Sequence, residues 1–196
     1  WGGPPAVRSL ADVEGCLYAD IHVGSIVRSS DNGETWEPVE SSLHRDVHQV
    51  VTCPTLPSRV YANTADAVWI SDDRGDSWRH CVDGVASRYG RALAVHSADP
   101  DLLLASISRG PHGGEGRLYR SEDGGFSWRH VTGGFPPFVE GNIDTFCVVF
   151  GVGDAADQAW AAESADLYRS DDRGVSWRRA WSAPQDITAL ACPRGI

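Results

Sequence analysis

Four segments of the 196-residue chain follow one eight-residue pattern, and this repeat limits the possible folds more than any other feature. The pattern is S-x-D-x-G-x-[TS]-W, and its copies occupy residues 29–36, 71–78, 121–128 and 170–177. Successive aspartates of the pattern are 42, 50 and 49 residues apart, as expected when one supersecondary unit recurs along a chain. Because four matches at five fixed positions do not arise by chance, the four segments are predicted to share one structure.

The residue types of the pattern suit a tight turn between two strands. A glycine takes φ > 0 without a steric clash, and an aspartate two residues earlier accepts hydrogen bonds from the N–H groups of the turn. The tryptophan then begins the outgoing strand and covers apolar surface of its neighbours. No copy places a Glu at the twelfth position of a calcium loop, so a structural role is favoured over calcium binding. The predicted structural positions are Asp31, Gly33, Trp36, Asp73, Gly75, Trp78, Asp123, Gly125, Trp128, Asp172, Gly174 and Trp177.

Three short apolar segments precede each turn and indicate three further strands per repeat. Val, Leu and Ala are frequent in them, Pro and Gly separate them, and no segment has a sustained 3.6-residue period, so almost no helix is expected. Four strands recurring every 40–50 residues are typical of a β-propeller blade. The sequence therefore predicts an all-β propeller of four-stranded antiparallel blades. The predicted blades span about 6–40, 46–83, 89–134 and 142–182, and residues 186–193 begin a further inner strand.

These turns make the chain resemble the BNR/Asp-box propellers, which include sialidases, xyloglucan-cleaving glycosidases, sortilin-type receptors and photosystem assembly factors. The resemblance implies that the boxes lie at the periphery, away from the functional face. A closed four-bladed ring has no place for a further inner strand, so residues 1–196 are interpreted as one propeller domain or part of a ring of six to eight blades. The chain opens at Trp1 and contains no Met, so we expect a processed, truncated or partly observed sequence.

Composition excludes several classes of partner. The 17 cationic residues are all Arg, and the 27 acidic residues give a net charge of −10, which disfavours binding to a phosphate backbone. No apolar run approaches the roughly 20 residues needed to span a bilayer. The five Cys form no CxxC pair and are interpreted as small core residues. Phosphate-binding loops and nucleophile elbows are absent from the sequence, and no cofactor is predicted.

The functional face is predicted at one mouth of the channel, where loops leading into the inner strands meet loops joining second and third strands. Polar residues there differ from blade to blade, and a scaffold carries its specificity at such variable positions. The predicted ligand-binding residues are Arg8, His22, His48, Arg91, Arg109, His112, Asp144 and Glu163, with Asp66, Glu115 and Asp166 in the same loops.

Structural interpretations of these residues stay open. His48 could cap a strand, and Arg8 and Arg91 could form ion pairs with Asp144 or Asp46. The glycine-rich insert at 109–117 is either a surface loop or a flap over the mouth. No metal is predicted, and His22, His44 and His48 are only weak candidates for Zn or Ni because their spacing matches no ligand pattern.

Two functions are consistent with the sequence. The favoured one is a non-catalytic scaffold that binds a protein or carbohydrate at the mouth and associates with another chain or with further blades. The alternative, implied by the resemblance, is a glycoside hydrolase completed by further blades. The Arg-Ile-Pro motif of sialidases is absent, and the carboxylates available for an acid–base pair are Glu140, Asp144 and Glu163.

Overall fold

Each copy of the repeat folds into one four-stranded antiparallel sheet. The structure is a computed structural model, and it describes residues 6–39 and 42–192. The first sheet contains β1 (Val7–Val13), β2 (Cys16–Ile21), β3 (Ser25–Ser29) and β4 (Glu37–Pro38). The second contains β5 (Val47–Thr52), β6 (Val60–Thr64), β7 (Ala67–Ser71) and β8 (Arg79–Cys81). The third contains β9 (Tyr89–His96), β10 (Asp99–Ser108), β11 (Arg117–Ser121) and β12 (Arg129–His130). The fourth contains β13 (Val148–Phe150), β14 (Ala159–Glu163), β15 (Asp166–Ser170) and β16 (Arg178–Ser182).

Strands that follow one another in the chain are also neighbours in their sheet, which gives every sheet the same meander order. The first strands of successive sheets contact one another in the order β1, β5, β9 and β13. This arrangement confirms the predicted all-β propeller of four-stranded antiparallel blades. The ring is not closed within the described residues, so the total number of blades stays a prediction.

Helical structure is nearly absent, as the sequence predicted. Among residues 6–39 and 42–192 the only helical element is the three-residue 3₁₀ turn Gly153–Ala155. In the same residues no helix is both long enough and apolar enough to span a membrane.

The recurring turn is held by one hydrogen-bond network, shown here for the second sheet. The Ser71 hydroxyl donates to Asp73 Oδ1 (2.7 Å) and accepts the N–H of Gly75 (2.7 Å). Asp73 also accepts the backbone N–H of Ser77 (2.8 Å) and, through Oδ2, its hydroxyl (2.5 Å). The φ of Gly75 is +100°, and a Cβ there would lie 3.1 Å from Val39 of the first sheet, so glycine is required both by conformation and by packing.

These hydrogen bonds hold the aspartates in their charged form. In the first sheet, the Thr35 hydroxyl and N–H and the Ser29 hydroxyl lower the pKa of Asp31 to about 2. For Asp73, burial opposes ionisation, but the hydrogen bonds from Ser77 and Ser71 outweigh it and lower the pKa. The pKa values of Asp123 and Asp172 are lowered in the same way. The aspartates therefore satisfy the N–H groups of their own turns.

The hydrophobic core is divided into three clusters, and each fills the space between two adjacent sheets. Trp78 packs in the cluster between the first and second sheets, Trp128 between the second and third, and Trp177 between the third and fourth. Each of these three box tryptophans therefore contacts the sheet that precedes its own. The indole N–H groups of Trp78 and Trp177 donate to the carbonyls of Gly75 and Gly174 at 3.1 and 3.0 Å.

Two details of the strand prediction are corrected by the structure. The fourth strand of each sheet begins one residue after the box tryptophan, and in the first, second and fourth sheets the indole N–H donates back to the carbonyl of the box glycine. Residues 186–192 form no strand, although a further inner strand was predicted at 186–193; residue 193 lies outside the described residues. They lie against the fourth sheet, where the N–H of Leu190 donates to the carbonyl of Phe146 (2.8 Å) and that of Ile187 to Ser164 (2.8 Å). A strand needs a partner along its length, and this segment has only these isolated contacts.

Candidate functional site

One end of the sheets collects charged and aromatic side chains from four neighbouring blades. Arg8 lies near the start of β1, His48 in β5 and Arg91 in β9, and Asp144 precedes β13. These four residues were predicted at the mouth because they occupy equivalent places in their repeats. Two further residues, Asp46 and Tyr89, join them. We call these six residues the mouth cluster.

His48 is the fully buried centre of the mouth cluster. Its Nδ1 lies 2.5 Å from the carbonyl oxygen of Gly90, so Nδ1 carries a proton and donates it. Burial is the largest influence on the pKa of His48 and lowers it. The positive charges of Arg91 and Arg8 lower this pKa further, whereas the Gly90 carbonyl and Asp46 raise it. His48 is therefore neutral, and its Nε2 is an acceptor that lies 3.4 Å from Asp46 Oδ1. Two acceptors thus face each other in the interior of the site.

Arg91 is bordered by an aromatic ring and a carboxylate. Its guanidinium carbon lies 5.1 Å from the centre of the Tyr89 ring, within the range of a cation–π contact. Its Nε lies 3.8 Å from Asp144 Oδ1, which is the loose ion pair that the sequence left open as an alternative. The Tyr89 ring also packs against His48, with a centroid distance of 4.9 Å. Burial raises the pKa of Tyr89, while Arg91 acts in the opposite direction.

Arg8 is positioned through its main chain. The N–H groups of Arg8 and Ser9 donate to Asp20 Oδ1 at 3.0 and 2.7 Å, which fixes the start of β1 on β2. Asp20 is fully buried, and this burial raises its pKa against the effect of the two N–H groups. The Arg8 side chain is only partly buried, and its charge acts on both His48 and Tyr89.

Four polar atoms of the mouth cluster are buried without a hydrogen-bond partner in the described part of the chain. They are Arg8 Nη1, Asp46 Oδ1, His48 Nε2 and Arg91 Nε. Two of these atoms are donors and two are acceptors. An unpaired buried polar atom costs roughly 1–3 kcal/mol, so a group of four is a costly arrangement for a structural core.

The insert at 109–117 is tied to a neighbouring segment. The N–H of Gly114 donates to the carbonyl of Glu140 (2.8 Å), and Gly116 and Val139 exchange two backbone hydrogen bonds of 2.9 and 2.8 Å. Within the loop, Glu115 forms ion pairs with Arg109 and with Arg117, and the latter measures 2.7 Å. His112 is exposed. Arg109 and His112 are thus at the same end of the third sheet as Tyr89 but are not part of the mouth cluster.

The remaining predicted residues lie in separate loops or at the strand ends next to them. His22 follows β2, and its N–H donates to the carbonyl of Ala6 (2.9 Å). Glu163 ends β14 and accepts the Ser164 hydroxyl (2.7 Å). The loop carboxylates Asp66 and Asp166 form ion pairs, Asp66 with His80 and Arg88 and Asp166 with Arg179.

Among the described residues, His22, His44 and His48 are not gathered into one metal site. His44 uses Nδ1 to accept the N–H of Asp46 (3.2 Å), and His48 uses Nδ1 as a donor. Across residues 6–39 and 42–192, no three His, Cys, Asp or Glu side chains are placed to hold one ion.

Sequence reasoning did not place Tyr89 in the site and treated Asp46 only as an ion-pair partner. Both stand two residues before a predicted site residue, Tyr89 before Arg91 and Asp46 before His48. Side chains two residues apart in a strand point to the same face, so this spacing is the signal that could have identified them.

Comparison with known proteins identifies the family. A sequence model described as Sortilin, neurotensin receptor 3 (Sortilin-Vps10) matches residues 24–135, which is more than half of the chain and includes three of the four boxes. The chain belongs to the Sortilin-Vps10 family. Vacuolar protein sorting/targeting protein 10 of Mycosarcoma maydis is 29% identical over 97 residues, which is 48% of this chain and 6% of that protein. Its counterpart in Aspergillus terreus is 31% identical over 106 residues, which is 52% of this chain and 7% of that protein. This Sortilin-Vps10 chain therefore spans a small part of these curated relatives.

Solved structures resemble this Sortilin-Vps10 chain in fold. An ancestral GH74 enzyme superposes with a TM-score of 0.73 at 20% identity, over 93% of this chain and 25% of that chain. The GH74 xyloglucanase from Xanthomonas campestris gives a TM-score of 0.63 at 18% identity, over 91% of this chain and 29% of that chain. The Dos1 propeller gives a TM-score of 0.62 at 12% identity, over 93% of this chain and 49% of that chain. At these identities the likeness concerns the propeller fold alone.

Proposed function

We propose that this chain is a non-catalytic propeller scaffold that binds a protein partner at the mouth cluster. The observation that carries the proposal is the set of four buried polar atoms without partners, contributed by the first three sheets. Seven other buried polar atoms in the described residues also lack a partner, among them Trp128 Nε1 of a box, but the mouth cluster gathers four of the eleven in one place. A site that keeps donors and acceptors unpaired is suited to a ligand that supplies both.

The charges of the cluster favour a polar ligand over a simple ion. Arg8 and Arg91 carry positive charge, Asp46 and Asp144 carry negative charge, and His48 is neutral. An anion would meet the two carboxylates, and a cation would meet the two guanidinium groups. Amide groups of a polypeptide and hydroxyl groups of a carbohydrate both combine donors with acceptors, so both classes fit the chemistry.

The names of the relatives favour the polypeptide. Both curated relatives are named for the sorting or targeting of vacuolar proteins, and the matched region includes β5, β9 and most of the mouth cluster. Because this chain covers only 6–7% of those proteins, the inference applies to the propeller region alone.

A glycoside hydrolase is the second candidate, and the carboxylates of the mouth are the observation that favours it. Asp46 and Asp144 both act on the pKa of Tyr89, so both lie near the same ring. A hydrolase of this kind needs two carboxyl groups about 5–9.5 Å apart on either side of the scissile bond. Asp144 Oδ1 lies 3.8 Å from Arg91 Nε and Asp46 Oδ1 lies 3.4 Å from His48 Nε2, so each carboxylate borders a side chain of the protein without a hydrogen bond to it.

Binding and turnover experiments separate the two candidates. A peptide library and a glycan array would be tested with the wild-type chain, Arg91→Gln and Asp144→Asn, and with Asp154→Asn as a control in the exposed 3₁₀ turn. We expect peptide ligands that lose at least tenfold affinity in the mouth variants and none in the control. Fluorogenic sialosides and xyloglucan oligosaccharides would be incubated with the wild type, His48→Ala and Asp144→Asn. Turnover that disappears in these two variants would replace the scaffold with the hydrolase.

A further inference from the structure

Two acceptor atoms of the mouth cluster face each other, and neither has a donor. His48 Nε2 and Asp46 Oδ1 are 3.4 Å apart, both atoms are buried, and neither has a hydrogen-bond partner in the described residues. A neutral imidazole nitrogen and a carboxylate oxygen both accept from an N–H or O–H group. The pair is therefore suited to a donor that reaches both atoms, and the chemistry of that donor specifies the partner further than the proposed function does.

The surroundings of His48 keep Nε2 an acceptor. Nδ1 donates its proton to the Gly90 carbonyl, so Nε2 of the neutral ring carries none. Burial, together with the positive charges of Arg91 and Arg8, favours the neutral ring over the effect of Asp46 and of the carbonyl. The ring therefore does not donate to Asp46, and the two acceptors stay unpaired.

The backbone around the pair is fixed by buried contacts. Asn63 is fully buried and donates to two backbone carbonyls of the third sheet at 2.7 and 3.1 Å. A Cβ on Gly90 would lie 1.7 Å from Asn63 Oδ1, so glycine is needed to bring this carbonyl against His48. On the other side, the carbonyl of Asp46 accepts the N–H of Ala65 (2.9 Å). Because the two acceptors are held in place before a partner arrives, binding to them loses less entropy.

The charge of Asp46 favours a cationic donor. Its side chain is 27% exposed, and in the described residues the one side chain within ion-pair distance of it is the neutral His48. A partly buried carboxylate without a counter-charge gains more from a charged donor than from a neutral one. A backbone amide of the partner would satisfy one acceptor and leave this charge uncompensated.

A primary ammonium fits the pair better than a guanidinium does. The three N–H groups of an ammonium rotate freely, so acceptors from two different side chains can share them. The N–H groups of a guanidinium form a rigid planar fork that matches the two oxygens of one carboxylate. An imidazole nitrogen and a carboxylate oxygen 3.4 Å apart are not such a pair.

The arginines of the mouth cluster explain why the ammonium has to belong to a larger molecule. Arg91 Nε and Arg8 Nη1 are buried donors without partners in the described residues, and they repel a free cation. A polypeptide brings carbonyl oxygens together with its ammonium group, and these oxygens accept from arginine. One segment of polypeptide therefore satisfies both the acceptors and the donors of the site.

From these observations we propose that the partner enters the mouth with a primary ammonium group that donates to His48 Nε2 and Asp46 Oδ1. A carbonyl oxygen of the same segment accepts from Arg91 Nε or Arg8 Nη1. This inference rests on the proposed function, since it names the group by which a polypeptide is recognised. The ammonium comes from an amino terminus or from a lysine side chain, and the probes below distinguish the two sources.

Four small probes test the ammonium directly. Glycylglycinamide carries an amino-terminal ammonium, Nα-acetyl-lysinamide a side-chain ammonium, Nα-acetyl-argininamide a guanidinium, and N-acetyl-glycylglycinamide no cation. Each is titrated into the 196-residue chain at about pH 7, where amino groups are mostly protonated, while the ring nitrogen shifts of His48 are followed by NMR. We expect a saturable change at Nε2 with one or both ammonium probes, at an affinity at least tenfold above that of the other two.

Substitution of Asp46 tests the contact from the side of the protein. Asp46→Asn keeps the size of the side chain and removes its charge, so the affinity for the ammonium probe should fall at least tenfold. The weak affinity for N-acetyl-glycylglycinamide should stay the same, because this probe has no charge to lose a partner. Asp154→Asn, in the exposed 3₁₀ turn, is the control and should change neither affinity. Because the amine is blocked on the probe, the comparison of probes needs no variant to fold.

Several results would overturn the inference. His48 shifts that respond to none of the four probes, or equally to the acetylated and the free amine, would do so. A preference for Nα-acetyl-argininamide would assign the pair to a guanidinium, and an ammonium affinity unchanged in Asp46→Asn would place the contact elsewhere. Library peptides that lose affinity in Arg91→Gln but keep it when every amine is acetylated would refute the ammonium and leave the scaffold standing. A library without peptides sensitive to Arg91→Gln would remove the proposed function itself.

Discussion

Truncation of a buried box tryptophan should destabilise the chain far more than neutralisation of a mouth carboxylate. Trp128 is 3% exposed and lies in the cluster between the second and third sheets. A side chain of this size buries roughly 150–250 Å², which at ~25 cal/mol per Å² corresponds to about 4–6 kcal/mol as an upper estimate. Trp128→Ala is therefore expected to lower the free energy of unfolding by about 3–5 kcal/mol, as measured for comparable core truncations.

Asp144→Asn is the comparison. Asp144 is 63% exposed in its side chain and lies 3.8 Å from Arg91 Nε, so its loss should cost less than about 1 kcal/mol. Urea unfolding followed by far-UV circular dichroism gives both free energies without relying on Trp fluorescence. The slope of the unfolding free energy against urea concentration should be the same in the wild type and in both variants, because all three expose the same surface on unfolding. Equal losses in the two variants would refute the division into framework and mouth positions.

Three further predictions concern pH and thiol chemistry. The pKa values of the box aspartates are lowered, so their stabilisation is complete above the unfolded value near 3.9 and is lost as pH falls through the lower folded values. Asp123→Asn should therefore flatten the acid limb of a stability–pH curve, and an unchanged limb would contradict the assignment. The pKa of His48 is also lowered, so the stability should fall as pH drops from about 6.5 through the pKa of His48 in the folded chain. His48→Gln should lose this pH dependence, which thermal unfolding between pH 5 and 8 can show. Burial raises the pKa values of Cys81 and Cys147 to about 11, and Cys16 and Cys53 are also buried. A thiol reagent at pH 8 should therefore label only Cys192 quickly in the native chain and all five thiols after unfolding. Rapid labelling of two or more thiols in the native chain would argue against the packing.

The sheets and turns were predictable because the chemistry that forms them is local. Asp73 and Ser77 are four residues apart, and the turn that they close needs no residue from another sheet. The alternating apolar segments then place the first strand of each sheet to within a few residues. The segment at 186–192 was predicted wrongly because its apolar pattern resembles that of β5. A pattern indicates that a segment suits a strand, but it does not supply the partner.

The candidate site was predictable only in part, since it depends on contacts between sheets. Arg8, His48 and Arg91 come together because equivalent positions of successive blades converge at one end, which the repeat already implies. Tyr89 packs on His48, and the one local signal for it is its position two residues before Arg91 in the same strand. The exposure of Leu10 was likewise unpredictable, because Val50 has the same type of sequence environment and is buried. Which sheet lies next to a residue is a property of the whole array.

The convergence of the first three sheets at the mouth is tested most directly by the pKa of His48, measured from its ring chemical shifts by NMR. Arg8 of the first sheet and Arg91 of the third both lower this pKa, and Asp46 of the second raises it. The structure predicts a higher value in Arg8→Gln and in Arg91→Gln, a lower value in Asp46→Asn, and no change in the distant Asp154→Asn. A pKa of His48 that does not respond to Arg8→Gln and Arg91→Gln would mean that the side chains of the three sheets do not meet, and the proposed binding site would not exist.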